Sequence, residues 1–231
     1  MYSHITDIFF DLDHTLWDFD KNSEKAFELI FKNEFPDIDT SAFIAVYIPI
    51  NQHCWKLYQQ DRITHLELRY MRLKNSFDAL GINISDEKIE KIAIDYREYL
   101  PHFNDLFDNA IAVLDYLNKQ YNLHIITNGF AEVQTKKLHN ANITHYFKSI
   151  TNSEMANAKK PNPIIFEHAL QLAGAKKNNS IMIGDCLDAD IDGALNFGID
   201  ALFFNPNQYA SPKHVRQINN LIELKKIFSY D

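Results

Sequence analysis

Acidic residues, a hydroxyl and a lysine recur just past the ends of short apolar runs in this 231-residue sequence. The run over residues 5–10 leads into Asp11-Leu12-Asp13-His14-Thr15, and Leu123–Ile126 leads into Thr127-Asn128-Gly129. A turn containing Lys159-Lys160-Pro161 precedes a helical pattern. The run Ile181-Met182-Ile183 ends in Gly184-Asp185, with Asp188 and Asp190 close behind. Each piece alone is weak: Asp-x-Asp occurs in many solvated turns, Thr-Asn-Gly and Gly-Asp are turn formers, and Lys-Lys-Pro is ordinary surface. The signal is their order and their shared position at strand ends.

Brought to one rim, these groups suit phosphoryl transfer. Clustered carboxylates repel one another unless a hard divalent cation sits among them, and oxygen ligands with several waters suit Mg²⁺. Such a metal also offsets repulsion between an anionic nucleophile and an anionic phosphate. A lysine and a hydroxyl can hold the other phosphoryl oxygens. One carboxylate can attack phosphorus to give an aspartyl phosphate. A second, two residues along, can protonate the leaving oxygen and later deprotonate water. For Asp13 to reach the side of Asp11, the chain must leave strand geometry after Asp11.

The elements that must position these residues follow from periodicity. The run ending at Asp11 reads as a buried parallel strand. A long helical stretch follows, with Phe27, Ile30 and Phe31 on one face. Residues 42–60 continue in helical character, with Pro49 expected to kink or break it. Thr64 and Glu67 form a capping box, followed by a stripe of Leu66, Tyr70, Leu73, Phe77 and Leu80, with Gly81 placed to end the helix. Ser85 opens another helix with the face Ile89, Ile92, Tyr96 and Leu100, closed by Pro101. Beyond it, helices near 110–119, 132–140, 164–173 and 190–197 alternate with strands near 123–126, 147–150, 181–183 and 201–204, and a last helix is expected from about Lys213. This alternation predicts an α/β fold: a Rossmann-like, doubly wound parallel sheet, in which reactive groups gather at the carboxyl ends of the strands. Residues 1–17 and 103–231 are expected to form that core, and 18–102 an inserted, all-helical cap.

Composition is that of a soluble globular protein, 46% hydrophobic and 23% charged. A net charge of −8 with no dense basic block argues against a nucleic-acid surface. Cys54 and Cys186 are far apart, which supports neither a disulfide framework nor a zinc knuckle and suits a reducing, cytoplasmic setting. The N-terminus lacks signal-peptide character, and no apolar segment approaches a membrane span. The oligomeric state is not encoded in these features.

These residues resemble the four motifs of the haloacid dehalogenase superfamily, in order: Asp11 to Thr15, Thr127 to Gly129, Lys160, and Gly184-Asp185 through Asp190. The resemblance covers essentially the whole chain, and implies a Rossmann-like core with a helical cap. It implies Asp11 as nucleophile and Asp13 as general acid/base. Mg²⁺ would be held by the Asp11 carboxylate, the Asp13 backbone carbonyl and the Asp185 carboxylate. Thr127 and the amide of Asn128 would bind phosphate, Lys160 would neutralise it, and Asp190 would orient Lys160 or a metal-bound water. Adjacent Lys159 competes with Lys160, and Asp188 with Asp190. Ile125 through Phe130, Trp55 through Tyr58 to Ile63-Thr64, and Lys160-Pro161-Asn162 resemble the house-cleaning pyrimidine 5′-nucleotidase branch, implying a nucleoside monophosphate substrate.

A sugar-phosphate phosphatase or mutase would keep the same machinery. A carbon-attacking dehalogenase would not need Asp13. A phospho-accepting regulatory module shares paired acids, a Thr and a Lys, but is shorter and lacks a large helical insert. Trp17, Phe19, Trp55 and Tyr58 have the chemistry to stack on a base, and equally to pack cap and core.

Overall fold

In the computed structural model, which describes residues 2–229, the first apolar run forms β1 (Asp7–Phe10), buried along its whole length. The chain then builds four helices, α1 (Phe19–Glu34), α2 (Thr40–Gln59), α3 (His65–Ala79) and α4 (Asp86–Tyr99). It continues through α5 (Ala110–Leu117), β2 (Asn122–Thr127), α6 (Ala131–Asn140), β3 (Phe147–Asn152), α7 (Ser153–Ala156) and α8 (Pro163–Ala173). The last elements are β4 (Ser180–Gly184), α9 (Gly193–Phe197), β5 (Asp200–Phe204), β6 (Gln217–Ile218) and α10 (Leu224–Ile227).

Two compact units result, Met1–Asp18 with Asp105–Asp231, and Phe19–Asn104. The second is helical and holds together through aromatic packing. Phe27 stacks on Tyr96 at 4.5 Å, Phe43 lies 4.9 Å from Phe27 and 5.0 Å from Phe77, and the Tyr96 hydroxyl meets Ser23 Oγ at 2.6 Å. Such pairs add to area burial through quadrupole-directed geometry. Thr64 and Glu67 close the expected capping box, and Gly81 (φ 69°) ends α3. A tight turn at Leu100–His102, containing Pro101, follows α4.

Two expectations for this unit need correction. Of the kink or break expected at Pro49, the break does not occur, since α2 runs through it: Phe43, Ile44, Tyr47, Asn51 and Cys54 bury one face, which outweighs the one backbone bond that proline cannot donate. The buried face of α3 is Leu68, Arg72, Leu73, Ser76 and Phe77, whereas Leu66 is exposed and Tyr70 and Leu80 are only half-buried. A polar residue hid the true stripe. Arg72 lies over the Tyr96 ring at 5.1 Å and donates to Asn51 Oδ1, so a cation sits where a hydrophobic pattern expects an aliphatic side chain.

The first unit carries a six-stranded sheet in the order β3-β2-β1-β4-β5-β6, with every pairing parallel. This is the doubly wound order, with the reversal between β1 and β4. Phe9, Ile126 and Met182 pack on one face with Ile165, Phe166 and Ala169 of α8 and Ala194 of α9. Strands β1 and β4 are buried throughout, so both faces are covered. The helix expected from Lys213 is absent: the chain first adds β6 to the sheet edge, and helix returns only as α10. A two-residue strand is too short to register as alternation. Among the described residues, no helix is long and apolar enough to cross a membrane.

Candidate active site

Parallel pairing brings the ends of β1, β2 and β4 side by side, Phe10 opposite Ile125 and Ile183. Asp11 follows β1 directly and its backbone N–H still donates to Ile183 at 2.9 Å. The strand then ends. Leu16 and Trp17 both donate to the Leu12 carbonyl, and His14 adopts a left-handed conformation (φ 62°) while donating to Trp17. A turn of this kind suits His more than a β-branched residue, and it is the departure from strand geometry that Asp13 requires.

At the centre lies Lys160, 2% exposed. Its ammonium contacts Asp11 Oδ1 at 2.5 Å and Asp190 Oδ1 at 2.6 Å, and donates to the Ile126 carbonyl at 2.7 Å. Asn128 fixes the lysine's backbone reciprocally: its Oδ1 accepts from Lys160 N at 2.8 Å, and its Nδ2 donates to Lys160 O at 3.0 Å. Asp190 stands on a wide turn of π type, Leu187–Asp192, and its Oδ2 accepts from Cys186 N. A Cβ at Gly184 would overlap the Asp190 carboxylate, so the glycine is what admits it. Lys159 is only half-buried and Asp188 is exposed. Of each competing pair, Lys160 and Asp190 are the ones that meet.

Asp185 accepts from Thr15 Oγ1 at 3.2 Å. Carboxylate oxygens of Asp11, Asp185 and Asp190 lie within 4.8 Å of one another. Burial pushes the Asp11 carboxyl well above its usual range; Lys160 opposes this, while Asp190 and Asp185 add to it. Asp185 rises to about 8 through burial first and Asp190 second. Burial alone would lower Lys160, but Asp11 and Asp190 outweigh it and hold the ammonium charged. Three crowded carboxylates around one ammonium thus lack positive charge. Their oxygen-only donor set fits a hard divalent cation, and all three carboxylates offer an oxygen close enough to share one. Cys186, whose thiol is pushed to about 12 by burial and by Asp190 and Asp185, stays protonated.

The second carboxylate of the motif is held separately. Asp13 Oδ1 accepts from Lys137 Nζ at 2.6 Å, and Oδ2 accepts from Gln134 Nε2 at 2.9 Å. Gln134 Nε2 also donates to Thr127 Oγ1 at 2.8 Å, which accepts from Gly129 N at 3.1 Å as well. Sequence reasoning missed Gln134 and Lys137. Their signal was modest: two polar residues three apart, on one face of the helix that follows the Thr127 loop. Thr15 was read as part of the first motif, without its bond to Asp185.

Comparison with known proteins gives the family. The family model for haloacid dehalogenase-like hydrolases matches residues 8–204. Pyrimidine 5′-nucleotidase PynA of Streptococcus pneumoniae is 34% identical over 202 residues, covering 87% of this chain and 84% of its own. Pyrimidine 5′-nucleotidase YjjG of Escherichia coli is 28% identical over 95% of this chain and 96% of its own. The crystal structure of the HAD-hydrolase YfnB of Bacillus subtilis, bound to magnesium, superposes with a TM-score of 0.87 at 28% identity, covering 98% of this chain and 99% of that one. With the family model spanning most of its length and the acidic site assembled at the strand ends, this chain belongs to the haloacid dehalogenase-like hydrolases and is one of their phosphatases.

Proposed function

We propose that the enzyme is a Mg²⁺-dependent 5′-nucleotidase acting on pyrimidine nucleoside monophosphates through a phosphorylated Asp11. The observation that carries the chemistry is the Asp11 carboxylate against the buried Lys160 ammonium, with Asp185 alongside. The substrate class is supported by the two pyrimidine 5′-nucleotidases among the relatives.

A carboxylate oxygen of Asp11 attacks phosphorus while the bond to the nucleoside 5′-oxygen breaks. Asp13 gives its proton to that departing oxygen. The Thr127 hydroxyl, the Asn128 amide and Lys160 bind the phosphoryl oxygens and stabilise their spread charge. In the second step Asp13, now a carboxylate, takes a proton from water as the water attacks phosphorus. The bond to Asp11 breaks, inorganic phosphate leaves, and both acids return to their starting states. Asp190 orients Lys160. Asp11, Asp185 and the Asp13 carbonyl would hold Mg²⁺, which would supply the charge that lets one anion approach another. We assign choice of leaving group to the helical unit acting as a cap. Free Cys54 and Cys186 support a reducing, cytoplasmic setting.

A phosphate-release screen in Mg²⁺ buffer across nucleoside monophosphates, sugar phosphates and pyrophosphate tests the proposal. Deoxyuridine and thymidine monophosphates are expected to turn over fastest, over many cycles. Preference for a sugar phosphate would overturn the nucleotidase reading and keep the phosphatase. Release that stops after one equivalent would point instead to a phospho-accepting module.

A further inference from the structure

Helix α6 presents Gln134 and Lys137 to the same Asp13 carboxylate, and Gln134 also to Thr127; neither residue belongs to the motifs on which the chemistry was assigned. Lys137 is 2% exposed, although a lysine on a short surface helix ordinarily keeps its ammonium in water. Its ammonium sits 4.2 Å from the centre of the Trp17 ring and 2.6 Å from Asp13 Oδ1. The Trp17 face and the carboxylate together fix the cation's position. Gln134 is equally buried, at 1%. Its amide orientation is dictated by its neighbour: turned over, its oxygen would face the Asp13 carboxylate.

The hydrogen-bond inventory at Thr127 has a directional consequence. A hydroxyl has one proton to donate and two positions at which to accept. Gln134 Nε2 and Gly129 N both donate to Thr127 Oγ1, so the remaining capacity of this hydroxyl is to donate its own proton. An anionic phosphoryl oxygen is the acceptor that matches. On the other side, Asp13 has one donor on each oxygen, which removes the freedom of its carboxylate to rotate. A Cβ at Gly129 would overlap Gln134, so the turn that carries the Thr127 loop also leaves room for the amide.

We propose that Gln134 and Lys137 are positioning residues of the reaction: Lys137 holds Asp13 for both proton transfers, and Gln134 couples Asp13 to the phosphate-binding hydroxyl of Thr127. The proposal rests on Asp13 being the acid/base of the phosphatase reading. It predicts a division between the two residues. With a nucleotide, loss of Lys137 slows both proton-transfer steps and so reduces kcat with little change in KM. Loss of Gln134 also releases Thr127 and so changes both.

The test is a double-mutant cycle on the Mg²⁺-loaded enzyme with p-nitrophenyl phosphate, a substrate whose leaving group needs no protonation, and with a nucleoside monophosphate. Asp13→Asn is expected to lower nucleotide kcat about 10³-fold, and Lys137→Met about 10²-fold, within the range of general acid–base contributions. Because both act through one carboxylate, Asp13→Asn with Lys137→Met should fall about 10³-fold and not about 10⁵-fold. With p-nitrophenyl phosphate, Lys137→Met should give a burst of nitrophenolate followed by slow turnover, since phosphorylation of Asp11 proceeds while its hydrolysis lacks a held base. Gln134→Leu should raise KM as well as lower kcat.

Multiplicative losses in the double variant, or a Lys137→Met enzyme with wild-type kcat, would overturn the proposal. So would a loss without a burst. If Lys137→Met does not fold, Lys137→Gln enters the same cycle, and the Gln134→Leu arm reads the coupling independently. If Asp13→Asn itself retains full nucleotide turnover, the acid/base reading fails first, and the two failures are told apart.

Discussion

At the scale of residues, the site is a problem of charge. Asp11 and Asp190 share a single ammonium with Asp185 beside them, and the excess acid at Asp11 and Asp185 is held at raised pKa by burial and mutual repulsion. Asp11→Asn removes the nucleophile and one source of repulsion together. It should abolish turnover, by at least about 10³-fold, while the melting temperature without metal stays level or rises. A calorimetric scan beside an activity assay checks both. Lys160→Ala has the opposite balance, because it strands Asp11 and Asp190 without their cation. Turnover should fall about 10²–10³-fold and stability by about 3–5 kcal/mol, the cost of breaking a buried pair. Lys159→Ala, at a half-buried position, should change kcat less than about threefold, within the small effect expected of a surface group. The reverse order of the two lysine variants would move the third motif by one residue.

At the scale of elements, local chemistry sets where helices begin and how strands carry buried polar groups. The Thr64–Glu67 box satisfies two free N–H groups at the start of α3, with Thr64 N donating to Glu67 Oε2 at 2.7 Å and Glu67 N to Thr64 Oγ1 at 3.2 Å. Thr64→Ala should cost about 1 kcal/mol in chemical denaturation. In β2, His124 is buried and stacked on Phe9 at 4.6 Å, with Nε2 3.2 Å from Asp7 and Nδ1 2.7 Å from Ser149. Burial lowers its pKa below the ordinary 6.5, and Asp7 offsets this only in part. The native state therefore binds fewer protons here than the unfolded chain. Stability from this group is complete above the unfolded value and is lost as pH falls below it. Relative to His124→Gln, the wild-type protein should lose melting temperature between pH 7 and pH 5; parallel profiles would show that His124 does not titrate on unfolding.

At the scale of the whole molecule, four loops remote along the chain depend on one sheet and, in the proposed reaction, on one cation. Mg²⁺ that binds the folded site alone should stabilise it by about 2.7 kcal/mol at a hundred times its dissociation constant. A chelator should lower the melting temperature and stop phosphate release together; undiminished hydrolysis in chelator would contradict the metal assignment. Much of this was legible in the linear sequence, because a parallel strand reads as an apolar run and its successor residue falls at the sheet's active edge. Asp11, Thr127 and Asp185 are legible that way, whereas Lys160, in a turn between helices, is singled out from Lys159 only by the resemblance. Leu66 misled, because Arg72 takes a core position through its contact with Tyr96, a partner on another helix. By itself the sequence determined the strand–helix order, the helix caps and the kinds of reactive group, since these depend on neighbours within a few residues. Only the tertiary structure decided that Asp190 and not Asp188 meets Lys160, and that Gln134 and Lys137 hold Asp13. Those choices are made by contacts between segments more than a hundred residues apart, or by the hand of a single turn, and neither leaves a periodic trace in the chain.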